Sequence, residues 1–164
     1  MMKAILGGIM MAAALAASPA QAAGCWSNIS YEAAQLRDFD TMLMVATLRC
    51  RINNVDFSAD YNRFVREKRS ILAEANQQLR GQFALSVGQG RALSAYDDYM
   101  TKVANGYGGG AADMTCDDYA AMARAAVEIP VARASLVALA ASAGSAPRLP
   151  GQRCGVTVAM KSGQ

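Results

Sequence analysis

The 164-residue chain contains no histidine. That absence excludes a Ser-His-Asp triad, a Cys-His pair, an H-E-x-x-H zinc site and c-type haem attachment. None of its four cysteines forms a C-x-x-C pair, which argues against a thioredoxin-like redox site or a zinc site. Charge is sparse, with 18% charged residues and a net charge of +3, so the chain lacks the signature of disorder. Only one long apolar run occurs, at the start, which excludes a polytopic channel. A hydrophobic fraction of 53% is enough to bury the core of one domain.

The first 22 residues read as a cleaved export signal. Lys3 supplies the positive n-region, and Ala4 to Ala17 form an apolar stretch of 14 residues. Ser18 and Pro19 end it, and Ala20-Gln21-Ala22 has the A-x-A form of a cleavage site. A spanning helix needs about 20 apolar residues, so this stretch is too short for a permanent anchor. Cleavage is expected after Ala22, with Ala23 as the alternative, leaving a periplasmic or secreted protein. A faint lipid-attachment box before Cys25 is the competing reading. It has Ala22 where Leu is usual, and would leave three cysteines to pair.

Residues 23–154 are expected to form a single all-α domain, followed by an irregular tail over 155–164. Leu36, Phe39, Leu43, Ala46 and Cys50 recur at intervals of three and four, predicting a helix from Ser30 to about Ile52 with Ser30 as N-cap. Asn53-Asn54 breaks it. Tyr61, Phe64, Val65, Leu72, Ala75, Leu79 and Phe83 mark a second helix from about Ser58 to Ala84, before a break at Gly88-Gln89-Gly90. Leu93, Tyr96, Met100, Val103 and Tyr107 mark a third, from about Arg91 to Asn105, closed by a glycine-rich stretch. Thr115 and Asp118 open a fourth, running to about Ala141 and kinked or broken at Pro130. Thr157 to Met160 is a candidate short strand.

These periods predict an up-and-down bundle of about four helices. An even cysteine count with export implies two structural disulfides. Antiparallel order puts Cys50, ending helix one, beside Cys116, starting helix four. Cys25 and Cys154 then meet at the other end. Helix one would be about 33 Å long, and bridged Cα atoms lie within about 7 Å, so Cys25 reaches Cys50 only if the chain folds back.

Chemistry-bearing patterns are thin. Asp97-Asp98 and Asp117-Asp118 are adjacent carboxylates, but neighbouring helical residues diverge rather than converge on a substrate. Asp117 and Asp118 suit the first turn of a helix. Glycines 88, 90, 106, 108, 109 and 110 make no G-x-G-x-x-G and carry no Walker lysine, so they read as turns. The basic, aromatic-interleaved run Tyr61 to Arg69 reads as an amphipathic helix rather than a nucleic-acid surface, with anionic envelope polymers or head groups as weaker partners. Trp26 is expected to pack over the neighbouring disulfide. Met42-Leu43-Met44-Val45 implies a helix buried on more than one side, and its methionines could line a ligand slot. Asn28-Ile29-Ser30 is a formal glycosylation sequon. No catalytic residue, metal ligand or cofactor is nominated.

The chain resembles a group of short, secreted, four-cysteine proteins of Gram-negative bacteria with no established activity. The resemblance rests on Cys25-Trp26, Leu36-Arg37-Asp38, Thr41 to Val45, Leu48 to Arg51, Tyr61 to Val65, Cys116 and Cys154, and spans roughly Cys25 to Cys154. Some members carry the name S-adenosyl-L-homocysteine hydrolase. That enzyme is built on an NAD-binding Rossmann domain, for which this chain has no glycine fingerprint. Two classes of function fit: a non-enzymatic binding, envelope-support or inhibitor-like protein, whose partner would be another envelope protein, or a hydrolase or carrier of small apolar ligands with a pocket between helices.

Overall fold

The computed structural model describes residues 24–111 and 113–155. The expected export signal with its cleavage site and the candidate strand at 157–160 lie outside the described residues. Six helices follow in order: α1 (Asn28–Ile52), α2 (Ser58–Glu67), α3 (Arg69–Val87), α4 (Gln89–Gly106), α5 (Cys116–Glu128) and α6 (Arg133–Ser142). No helix among the described residues is long and apolar enough to cross a membrane.

Helix α1 is the axis of the fold and touches each of the other five. At 1.5 Å per residue its 25 residues span about 37 Å. Leu36, Phe39, Leu43, Ala46 and Cys50 are all buried along it, as their spacing predicts. Ala33, Ala34, Asp38, Thr41 and Met42 are buried too, because neighbours cover more than one side. The N-cap is Ser27, not Ser30. Ser27 accepts from the Ser30 N–H at 3.1 Å, while the Ser30 hydroxyl donates to Gln82 Oε1 on α3 at 2.9 Å. Asn54, with φ 62°, turns the chain out of α1.

The expected second helix divides into α2 and α3 at Lys68 (φ −98°, ψ 13°). Lys68 is only 1% exposed. Its Nζ donates to the carbonyls of Ile129 at 2.6 Å and Val127 at 3.2 Å, where α5 ends. The last carbonyls of a helix have no intrahelical partner, and an ammonium there also suits the helix dipole. Thus the bend in one helix caps the end of another.

Pro130 breaks the fourth segment outright. Proline lacks an N–H and forces the preceding residue out of the helical region; Ile129 is extended at φ −65°, ψ 153°. At the start of α5, Thr115 and Asp118 form the reciprocal capping box. The expected break at residues 88–90 shrinks to Gly88 alone, whose φ of 84° lets α4 start at Gln89. The buried face of α4 is slightly shifted from the expected one: Tyr96, Met100, Val103 and Tyr107 pack against the core as their spacing predicts, but the fully buried residues are Ala92 and Tyr99, and Leu93 is exposed.

The core runs along α1, with Phe39 edge-on to Phe64 at 6.0 Å and Leu36, Leu43, Leu79 and Leu136 sealed from solvent. Each such side chain contributes roughly 1.5–3 kcal/mol of burial. Cys50 joins Cys116 and Cys25 joins Cys154, with Cα separations of 5.5 and 5.1 Å.

Candidate functional site

A cleft of about 860 Å³ opens between α4, the end of α3, the chain just ahead of α1, Asp38 on α1 itself, and the non-helical segment 144–151. Three contacts between distant segments build it. Gln82 on α3 donates to the Cys25 carbonyl at 3.1 Å, tying the chain ahead of α1 to the body. The Trp26 N–H donates to the Gln152 carbonyl at 2.8 Å, and the Cys154 N–H to the Trp26 carbonyl at 2.9 Å, in a short parallel bridge. Gly151 then lies against the Trp26 indole, where an added Cβ would come within 3.2 Å of the ring.

The floor is aromatic. Trp26 packs edge-on to Phe83 at 5.6 Å, and Tyr99 lies 5.6 Å from Phe83 and 6.3 Å from Trp26. Trp26 is therefore a member of a ring cluster centred on Phe83 as well as the neighbour of a disulfide cysteine. Asp98, Lys102 and Arg148, all exposed, line the mouth.

Asp38 is the buried charge of the cleft. Its Oδ2 accepts from the Tyr107 hydroxyl at 2.7 Å and lies 2.7 Å from the Ser145 hydroxyl, which also lies 3.0 Å from the Gln35 carbonyl. Gln35 Nε2 donates to the Ser145 carbonyl at 2.9 Å. One knot thus joins α1, the end of α4 and the start of the non-helical wall. Burial, with the Asp38 hydrogen bond and charge, pushes the Tyr107 phenol well above its ordinary pKa. Burial and the Asp38 charge do the same to Tyr99. Tyr99 is 6% exposed, and its hydroxyl has no hydrogen-bond partner among the described residues. A buried hydroxyl left unpaired costs about 1–3 kcal/mol.

The other sequence candidates scatter. Of the paired carboxylates only Asp98 reaches the cleft; Asp97 and Asp117 are exposed, and Asp118 is held below the usual carboxylate range by hydrogen bonds from Thr115. In the run 61–69, Arg63 pairs with Glu67 at 2.7 Å, Lys68 turns inward, and Tyr61 donates to Asp40 at 3.1 Å. Of glycines 88, 90, 106, 108, 109 and 110, only Gly106 lines the cleft, while Gly110 (φ 88°) packs where any Cβ would collide with the Arg49 guanidinium. Met44 is exposed and Met42 is buried; neither lines the cleft. Among the described residues no group of cysteines and carboxylates could hold a metal ion.

Asp38, Tyr99 and Lys68 were missed as special positions. Lys68 did leave a signal, because it lies on the apolar face of its segment, four residues from both Phe64 and Leu72. No family model, curated protein or solved structure matches this chain.

Proposed function

We propose that this chain is a non-enzymatic, exported binding protein whose ligand is a small molecule seated in the cleft. The observation that carries the reading is the cleft itself. Its volume falls in the range of small-ligand sites, and it combines an apolar floor with a few placed polar groups. Its rings come from three separate stretches, Trp26, Phe83 and Tyr99, and the buried Asp38 carboxylate supplies one strong acceptor. The two disulfides suit an oxidising compartment, in keeping with the export signal read at residues 1–22. The two hydroxyls held beside Asp38, those of Tyr107 and Ser145, tie α1 to the end of α4 and to the non-helical wall, a structural use that favours binding over hydrolysis.

Trp26 is the single tryptophan of the chain and lines the cleft, so its fluorescence reports occupancy directly. A fragment library screened against the oxidised protein should give hits that perturb Trp26 emission and shift the amide signals of α4 and residues 144–151. Hits that leave these signals unmoved, or an inert cleft across the library, would overturn the proposal.

A further inference from the structure

The two disulfides differ in surroundings. Cys50 is wholly buried in the core and its partner Cys116 half-buried, whereas Cys154 is exposed and Cys25 only half-buried. The exposed bridge fastens the end of a strap, residues 146–155, which contains no helix. Through Ala146, Arg148, Pro150 and Gly151 that strap forms one wall of the cleft.

The strap is anchored unequally. At its start, Ser145 is buried and knotted to Gln35 and Asp38, and Pro147 is buried beside it. Towards its end the non-covalent hold is the half-buried Leu149 side chain, Gly151 against the Trp26 indole and the pair of backbone hydrogen bonds to Trp26, together with the Arg153 side chain. Arg153 stacks 4.0 Å from the Tyr31 ring centroid and donates to the exposed Asn28 Oδ1 at 3.0 Å. Contacts of this kind, open to water, hold weakly against the entropy of ordering a segment without its own secondary structure.

We infer that Cys25–Cys154 is a thiol–disulfide exchange site, and that its reduction by a dithiol frees the strap and opens the cleft while Cys50–Cys116 stays closed. A thiolate of the dithiol attacks Cys154 Sγ, forming a mixed disulfide and expelling Cys25 as a thiolate, which takes up a proton. The second thiol of the reductant then attacks the reductant's own sulfur in that mixed disulfide and releases Cys154 as a thiol. The protein bridge gains two electrons and two protons, and the dithiol leaves as a disulfide. The effect on ligand rests on the binding role proposed for the cleft; the exchange and the freeing of the strap do not.

The test is a dithiothreitol titration of the oxidised full chain in native buffer, quenched with iodoacetamide and mapped by peptide mass. Cys25 and Cys154 should become alkylated first, with Cys50 and Cys116 still joined and the helical circular dichroism retained. Amide exchange across 146–154 should then accelerate at least about tenfold, as expected for local opening, and a fragment bound by the oxidised cleft should be released. A Cys25→Ser/Cys154→Ser variant should show the same fast exchange without reductant. Four cysteines reacting in step, a Cys25–Cys154 bridge that resists reduction longer than the other, or a strap whose protection survives reduction would each overturn the inference. Selective reduction and a freed strap in a protein that binds no fragment would overturn the binding role alone.

Discussion

The two halves of the molecule are closed by the same bond in opposite settings. At the far end of α1, Cys50 meets Cys116 between helices, where α5 begins, and Lys68 caps the other end of α5. At the near end, Cys25 meets Cys154 between two stretches without helix, beside a cleft whose Tyr99 hydroxyl has no partner among the described residues. The bridges lie 66 and 129 residues apart in sequence. Loop entropy grows only logarithmically, so their effects on the unfolded chain differ by only about 0.6 kcal/mol. Any larger difference in behaviour reports the native surroundings: one half is packed for stability, and the other retains polar groups and a removable wall.

The largest expected effect separates the two bridges. Cys50→Ala/Cys116→Ala should lose about 3–5 kcal/mol and lower the midpoint of a single cooperative denaturant transition. Cys25→Ala/Cys154→Ala should keep the helical signal at 25 °C and show its main change in exchange at residues 146–154. If both variants lost their helices alike, the contrast between the halves would be broken.

Lys68→Met comes next. It leaves the Ile129 and Val127 carbonyls without their ammonium donor in a buried place, so a loss of about 2–4 kcal/mol is expected in chemical denaturation. An unchanged midpoint would mean that the α5 terminus needs no such cap.

In the cleft half, two tyrosines should respond with opposite signs. Tyr99→Phe removes a buried hydroxyl that has no partner among the described residues, and should be neutral or stabilising by about 1 kcal/mol. Tyr107→Phe removes a hydrogen bond to a carboxylate, and should cost about 1.5–3 kcal/mol. Equal losses from both would show that the Tyr99 hydroxyl is satisfied in solution.

The smallest effect is a pH dependence. Burial raises the Asp40 pKa, against the opposing pull of Arg37 and the Tyr61 hydrogen bond. Folding therefore favours the protonated form. The resulting stability is fully present below the unfolded value, near 4, and is lost as pH rises through the folded one. Asp118 works in the other direction: its depressed pKa adds stability above the unfolded value that disappears as pH falls through the folded one. Stability-against-pH curves should accordingly change slope in opposite senses for Asp40→Asn and Asp118→Asn.

Much of the fold was legible because it depends on local chemistry. The three-four spacing of Leu36, Phe39, Leu43, Ala46 and Cys50 names the buried face of α1. Thr115 and Asp118 mark a helix start by satisfying each other's backbone donors, and Pro130 marks a stop by lacking one. The bend at Lys68 was less legible, since a lysine in a basic run looks solvated until its face is compared with those of Phe64 and Leu72. The cleft left no pattern at all. Its floor joins Trp26, Phe83 and Tyr99, and its polar knot joins Asp38 with Tyr107 and Ser145, 69 and 107 residues away.

By itself, the sequence determined where helices form, cap and stop, because those choices follow from steric limits and hydrogen bonds within a few residues. Only the tertiary structure decided which faces meet around α1. That choice turned Lys68 inward to α5, shifted the buried face of α4 to take in Tyr99 rather than Leu93, and laid the segment ending at Cys154 across Trp26. Each depends on packing between segments far apart in the chain, where the free energy lies in mutual burial and no local pattern records the partner.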